Sequence, residues 1–219
     1  MNPENRENRS ILNTLRALVP QRRASFAEAL RVAEQQAQRL LRNVTDVRCP
    51  VSEDLVMGLP RINIEYVGDM PTSGCSFWDS AHKTWIIQIN RGEPSTRQRF
   101  TLFHEYKHIV DHGLTDQLYG TGPDAGKHSE QAADYFAGCV LMSRPLLKRA
   151  WGQGIQTAER LAAHFAVSVV AARVRLAQVG LTDGRVRCAV PDQPQFAPSK
   201  RRTPRSYYRQ LTPGFGATR

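Results

Sequence analysis

Two histidines four residues apart, with a glutamate directly after the first, form the most chemistry-specific spacing in the chain: His104-Glu105-Tyr106-Lys107-His108. On a helix, residues four apart share a face, so both imidazoles can reach one cation. Glu105 falls beside that face, where its carboxylate can take a proton from an activated water instead of binding the metal. A catalytic zinc needs a third protein ligand and an open position. His112 lies one turn further on, but near the expected helix end, where it complements the negative end of the dipole. An extended pattern with a third histidine would need Gly at 111 and His at 114, and Asp111 and Leu114 exclude it. His128 has no positional argument. Glu130 has one: it opens the next expected helix, and Asp134 follows one turn later on the same face. Glu130 is therefore the candidate third ligand, and Asp134 the acceptor for the free N–H of a ligand histidine, which fixes its tautomer and orientation. An oxyanion donor is also required, and Tyr106, Tyr119, Tyr135, His112 and His128 all stay open for that role.

These groups need elements to hold them. Ser25, with Glu28 three residues later, reads as a capping box for a helix to about residue 43. Arg61-Ile-Asn-Ile-Glu-Tyr-Val67 alternates like a half-buried strand, and Ser73-Gly74 marks a turn. A strand pair is expected at 76–78 and 83–90, its second member Trp85–Asn90 offering an edge on which an extended peptide could pair. Ser95 opens the helix carrying the two histidines, and Gly113 follows its end. The glycine-rich stretch 114–127 reads as a loop. Helices are expected from Ser129 to Met142, stopping near Pro145, then over 157–165 and 168–179. The last two read as a helix-turn-helix, either a packing module that supports the catalytic domain or holds a repressor, or a DNA reader on whose second helix Arg173 and Arg175 could face a phosphate backbone.

The run Arg97-Gln-Arg-Phe-Thr-Leu-Phe-His-Glu-Tyr-Lys-His-Ile-Val-Asp-His112 resembles the core motif of the ImmA/IrrE-family metallopeptidases. So does Glu130-Gln-Ala-Ala-Asp-Tyr-Phe-Ala137 with the following Val-Leu-Met-Ser-Arg-Pro145. The resemblance covers roughly residues 25 to 182. It implies an α+β, zincin-like (gluzincin-like) fold with a small sheet and two ligand-bearing helices. It also implies a zinc cofactor and a protein substrate, since members cleave helix-turn-helix repressors of mobile elements or stress regulons. The chain departs from the family pattern at Lys107, where Gly is usual, and at Tyr106, where Leu or Ile is usual. A lysine at 107 should need an exit to solvent, because the glycine normally permits close packing behind the helix.

Composition sets the outer bounds. The 219 residues are 41% hydrophobic and 23% charged, which excludes collagen-like, wholly disordered and disulfide-scaffold classes. No apolar run approaches the roughly 20 residues of a spanning helix, and the polar start MNPENRENRS lacks a signal-peptide core. A cytoplasmic protein without a membrane partner is the expectation. Of the net charge of +10, residues 182–219 carry +6, with eight Lys or Arg against two Asp. There Lys200, Arg201 and Arg202 stand near Tyr207 and Tyr208, a pattern compatible with nucleic-acid contact. Cys49, Cys75, Cys139 and Cys188 form no C-x-x-C pair, so a zinc ribbon is excluded. Cys75, ahead of the strand pair, is a weak candidate for a redox brake beside the metal. The expected organisation is a flexible N-terminus (1–23), a zinc metallopeptidase domain (24–150), a helix-turn-helix-like module (151–182) and a basic, Pro-rich disordered tail (183–219). The expected function is a cytosolic zinc endopeptidase that processes a regulatory protein. The alternative is a DNA-associated regulator whose zinc site is structural or vestigial.

Overall fold

Local chemistry sets most of the element boundaries. The computed structural model describes residues 11–42 and 49–181, all within one unit of the chain. The expectations for the tail, including Lys200, Arg201 and Arg202, lie outside the described residues. A short helix α1 (residues 11–16) precedes α2 (Phe26–Leu41). α2 begins at Ser25 because two orphan amides are satisfied reciprocally: Ser25 Oγ accepts from the Glu28 N–H, and the Glu28 carboxylate accepts from the Ser25 N–H. Arg22 grips the same carboxylate at 2.6 Å. After α3 (Asp54–Met57) come three strands, β1 (Ile62–Val67), β2 (Gly74–Asp79) and β3 (Thr84–Asn90).

The sheet order is β1-β3-β2, with β1 parallel and β2 antiparallel to β3. This corrects one expectation. β3, read from sequence as an open edge, is the central strand and has both edges taken. Its composition explains the placement, since Ile86, Ile87 and Ile89 are all buried and demand cover. The edge next to the helices belongs to β2.

The remaining elements are α4 (Ser95–Asp111), α5 (Thr115–Tyr119), α6 (Ala125–Leu141), α7 (Arg144–Gly152), α8 (Ala158–Phe165) and α9 (Val169–Val179). Three differ from the sequence reading. The stretch read as a loop contains α5, and α6 starts four residues before Ser129. α7 was hidden by Pro145, which ends one helix but also sits in the first turn of the next, where a missing N–H breaks no hydrogen bond.

One principal core runs through the body, and it reaches both expected appendages. Residues 11–23 do not form a flexible lead. Leu15 is fully buried, and Arg16 donates to the Ile109 and Val110 carbonyls in the last turn of α4. Nor do α8 and α9 stand apart from residues 24–150, because Leu161, Phe165, Val167 and Leu176 belong to the same core. Arg175 is only 2% exposed. Its Nε donates to the Met142 carbonyl and its guanidinium lies over the Tyr135 ring, so it cannot meet a phosphate backbone. Arg173 is exposed and paired with Glu159 at 3.1 Å. No single helix among the described residues is long and apolar enough to cross a membrane.

Candidate metal centre

α4 and β2 approach each other closely, and a glycine allows it. A Cβ at Gly74 would stand 2.5 Å from Thr101 Cγ2 and 2.8 Å from the Gln88 carbonyl oxygen. Two residues on, Ser76 points to the same side of the strand, and its Oγ donates to Glu105 Oε2 at 2.9 Å. Glu105 is 8% exposed and lies on the wall of an open cleft of about 360 Å³. Gly74, Cys75, Ser76, His104, Glu105, His108 and Glu130 line that cleft.

His104 and His108 turn their Nε2 atoms to within 3.1 Å of each other. The neighbouring helix α6 brings Glu130, whose Oε2 is 3.2 Å from His104 Nε2 and whose Oε1 is 3.3 Å from His108 Nε2. One ligand atom from each of the three residues falls within 4.8 Å of the others. Asp134, one turn further along α6, accepts from His104 Nδ1 at 2.9 Å, so Nε2 is the ring nitrogen turned to the cluster. Burial alone would lower the His104 pKa, but the hydrogen bonds to Asp134 and Glu130 override it and raise it to about 9. Glu130 is held well below the usual carboxylate range by its hydrogen bonds to His104 and His108. The cluster therefore favours positive charge at its centre. Two imidazole nitrogens and one carboxylate, with the outer nitrogen of a ligand tied down, fit the donor set of a catalytic zinc.

None of the five candidate oxyanion donors lines this cleft. Tyr106 is fully buried, and its hydroxyl meets no hydrogen-bond partner. Tyr119 donates to Asp111 Oδ2 at 2.5 Å, and Tyr135 to Glu34 Oε2 at 3.2 Å. His112 packs edge-on against Trp85, and His128 stacks on Phe26. Gly74 and Ser76 went unrecognised in the sequence. Ser73-Gly74 read as a turn, whereas Gly74 is the first residue of β2. Cys75 does reach the cleft wall, yet strand alternation turns its thiol away from Glu105, with Sγ 3.7 Å from Gln88 Oε1. Burial, then the charge of Glu105, pushes that thiol above its ordinary value, the opposite of what a redox-reactive cysteine needs.

Residues 60–177, more than half of the chain, match the IrrE N-terminal-like domain of the Peptidase M78 family. The chain belongs to this family. The M78 match spans the sheet, the paired histidines, Glu130, all of α8 and all but the last two residues of α9. Among solved structures, a Mycobacterium tuberculosis transcriptional regulator is similar in fold, with a TM-score of 0.50 and 14% sequence identity. The alignment covers 80% of this chain and 52% of that one, so this M78 chain spans about half the length of that regulator. No curated protein matches the sequence significantly.

Proposed function

We propose that this M78 chain is a cytoplasmic zinc-dependent endopeptidase that cleaves a regulatory protein, a helix-turn-helix transcriptional repressor. The observation that carries the reading is the placement of the Glu105 carboxylate, held by Ser76 on the wall of the cleft where His104, His108 and Glu130 converge. His104, His108 and Glu130 would hold the metal, and Asp134 would fix the His104 ring. Bound zinc polarises a scissile carbonyl and acidifies water. Glu105 takes the proton of the attacking water and passes it to the leaving amine. The hydrogen bond from Ser76 holds one carboxylate oxygen of Glu105 on the cleft wall. A protein substrate agrees with the openness of the cleft, and a repressor substrate agrees with the family.

The alternative, a regulator acting through DNA, draws little from the described residues. Of its two basic contacts there, Arg175 is buried and Arg173 is paired with Glu159. The deciding experiment compares new protein N-termini in native cells carrying the wild type or Glu105→Gln, under DNA-damage and oxidative stress, with zinc measured in both purified proteins. A terminus inside a repressor that appears only with the wild type supports the proposal and names the substrate. Identical termini with zinc retained in both would assign the function to the DNA-associated reading.

A further inference from the structure

Among the described residues β2 pairs with β3 on one side and with no strand on the other. Exposed edges in proteins are usually blunted by lysine, proline, a bulge or an inward charge. β2 carries none of these before its last residue, Asp79, whose carboxylate is turned to the Ala81 and His82 amides of the following turn. Its two aromatics are instead 44% and 42% exposed. Being consecutive, they stand on opposite faces of the strand. Trp78 shares the face of Gly74 and Ser76, which is the face toward α4. It is steadied from behind by a row of rings, edge-on to Trp85 at 5.5 Å, with Trp85 edge-on to His112 at 4.8 Å. Phe77 stands on the other face, opposite the buried Ile86 in the register.

We propose that Phe77 and Trp78 set specificity by gripping consecutive bulky apolar residues, one on each face of an extended substrate segment paired along the outer edge of β2. This rests on the peptidase reading above. The occupant follows from continuity, since the first three residues of β2 line the metal cleft and the next two carry the aromatics. A peptide paired along this edge therefore runs straight out of the cleft past both rings. At about 3.3 Å per strand residue, the gripped positions fall within a few residues of the cut bond, all on one side of it. The preferred substrate is then an unfolded or extended stretch with adjacent large apolar residues, the kind of sequence that a folded helical repressor keeps in its core.

The test uses the full chain loaded with zinc. The Glu105→Gln protein is incubated with an equimolar pool of random-sequence peptides, and bound peptides are identified by mass spectrometry. The wild type is given the same pool, and its cut bonds are mapped. The expected result is enrichment of Phe, Trp, Leu, Ile or Met at adjacent positions on one side of the bond. That enrichment should fall about tenfold in Phe77→Ala and in Trp78→Ala, in keeping with the loss of one buried apolar side chain. It should persist in Trp78→Phe, which keeps the row of rings and so separates lost selection from lost folding. Unchanged enrichment in both alanine variants, or bound peptides without apolar preference, overturns the proposal. So does a concentration-dependent dimer abolished by the same substitutions, because the edge would then serve a second copy of this chain. Cleavage of the pool without preference would remove the aromatic grip and leave the peptidase standing. Neither binding nor cleavage, together with identical cellular termini, would remove both.

Discussion

Lys107 shows how one side chain can reverse its expected environment. It replaces the glycine of the family pattern and was expected to reach solvent, yet it is fully buried behind the cleft-facing side of α4. Its Nζ donates to Gln36 Oε1 at 2.8 Å and to Asp111 Oδ1 at 2.5 Å, while Tyr119 takes the other carboxylate oxygen. Gln36 in turn donates to the Leu15 carbonyl, so the network ties α1, α2 and α5 to the helix of the histidines. A buried pair of this kind is expensive to break from one side, because the surviving charge has lost its partner. Lys107→Met should therefore cost about 3–5 kcal/mol in urea unfolding, and adding Asp111→Asn should recover part of that loss. Purely additive effects in this cycle would show that the two charges are not coupled. On the opposite side of the same helix, Ser76→Ala removes the hydrogen bond that orients Glu105. On a peptide substrate kcat should drop about tenfold, the order of one charge-assisted hydrogen bond, with KM and zinc content unchanged. Ser76→Thr, which keeps the hydroxyl, should restore the rate, and a change in KM alone would remove the orienting role.

At the scale of elements, sequence patterns located what local chemistry controls and missed what packing decides. The capping box at Ser25 and the end of α4 before Gly113 were legible because each is a nearest-neighbour matter of donors and acceptors. The order of the strands was not legible, since β3 becomes central through the burial of its isoleucines against elements distant in sequence. α7 escaped for a different reason, as a proline in a first turn looks identical to a proline that stops a helix. The spacings of the two histidines and of Glu130 with Asp134 placed four residues on two helix faces, but only the fold brings those faces together. Gly74 and Ser76 had no motif at all, because their roles exist only where β2 meets α4. The capping box also carries a pH signature. The Arg22 side chain, then the Ser25 amide, lowers the Glu28 carboxyl from its ordinary 4.5 to about 2. A folded-state pKa below the unfolded one means stability that is present above the unfolded value and lost as pH falls through the folded one. The difference in melting temperature between the wild type and Glu28→Gln should thus be full at neutral pH, shrink below about 4.5 and vanish near 2. A difference that stayed constant across that range would show that Glu28 acts through packing, not through its charge.

For the whole molecule, the consequential finding is that two segments set apart in the sequence, residues 11–23 and 151–181, share the core of the described residues. The boundary expected at residue 150 came from the helix-turn-helix pattern of 161–181, which is real as a local shape: α8 and α9 meet at 108° across a turn where Ala166 is left-handed. Local shape does not show what lies beneath it. Leu161 and Phe165 are fully buried and Leu176 is 3% exposed, all in the same core as Leu102, Phe103 and Tyr106 of α4. Fully burying a side chain of this size contributes about 1.5–3 kcal/mol, so losing these three removes a free energy comparable with the roughly 5–15 kcal/mol that separates a folded domain from its unfolded chain. Removal would also take the Arg175 donor from the Met142 carbonyl at the end of α6. Because α6 carries Glu130 and Asp134, damage at its far end should reach the metal cluster. A chain ending at residue 156 should accordingly lose its cooperative urea transition, keep only a broad, non-sigmoidal loss of helical circular dichroism, and retain far less than one zinc per chain after desalting. A sharp transition with an undiminished dependence on urea, and a full complement of zinc, would instead establish the chain up to residue 156 as self-sufficient and α8–α9 as a detachable module.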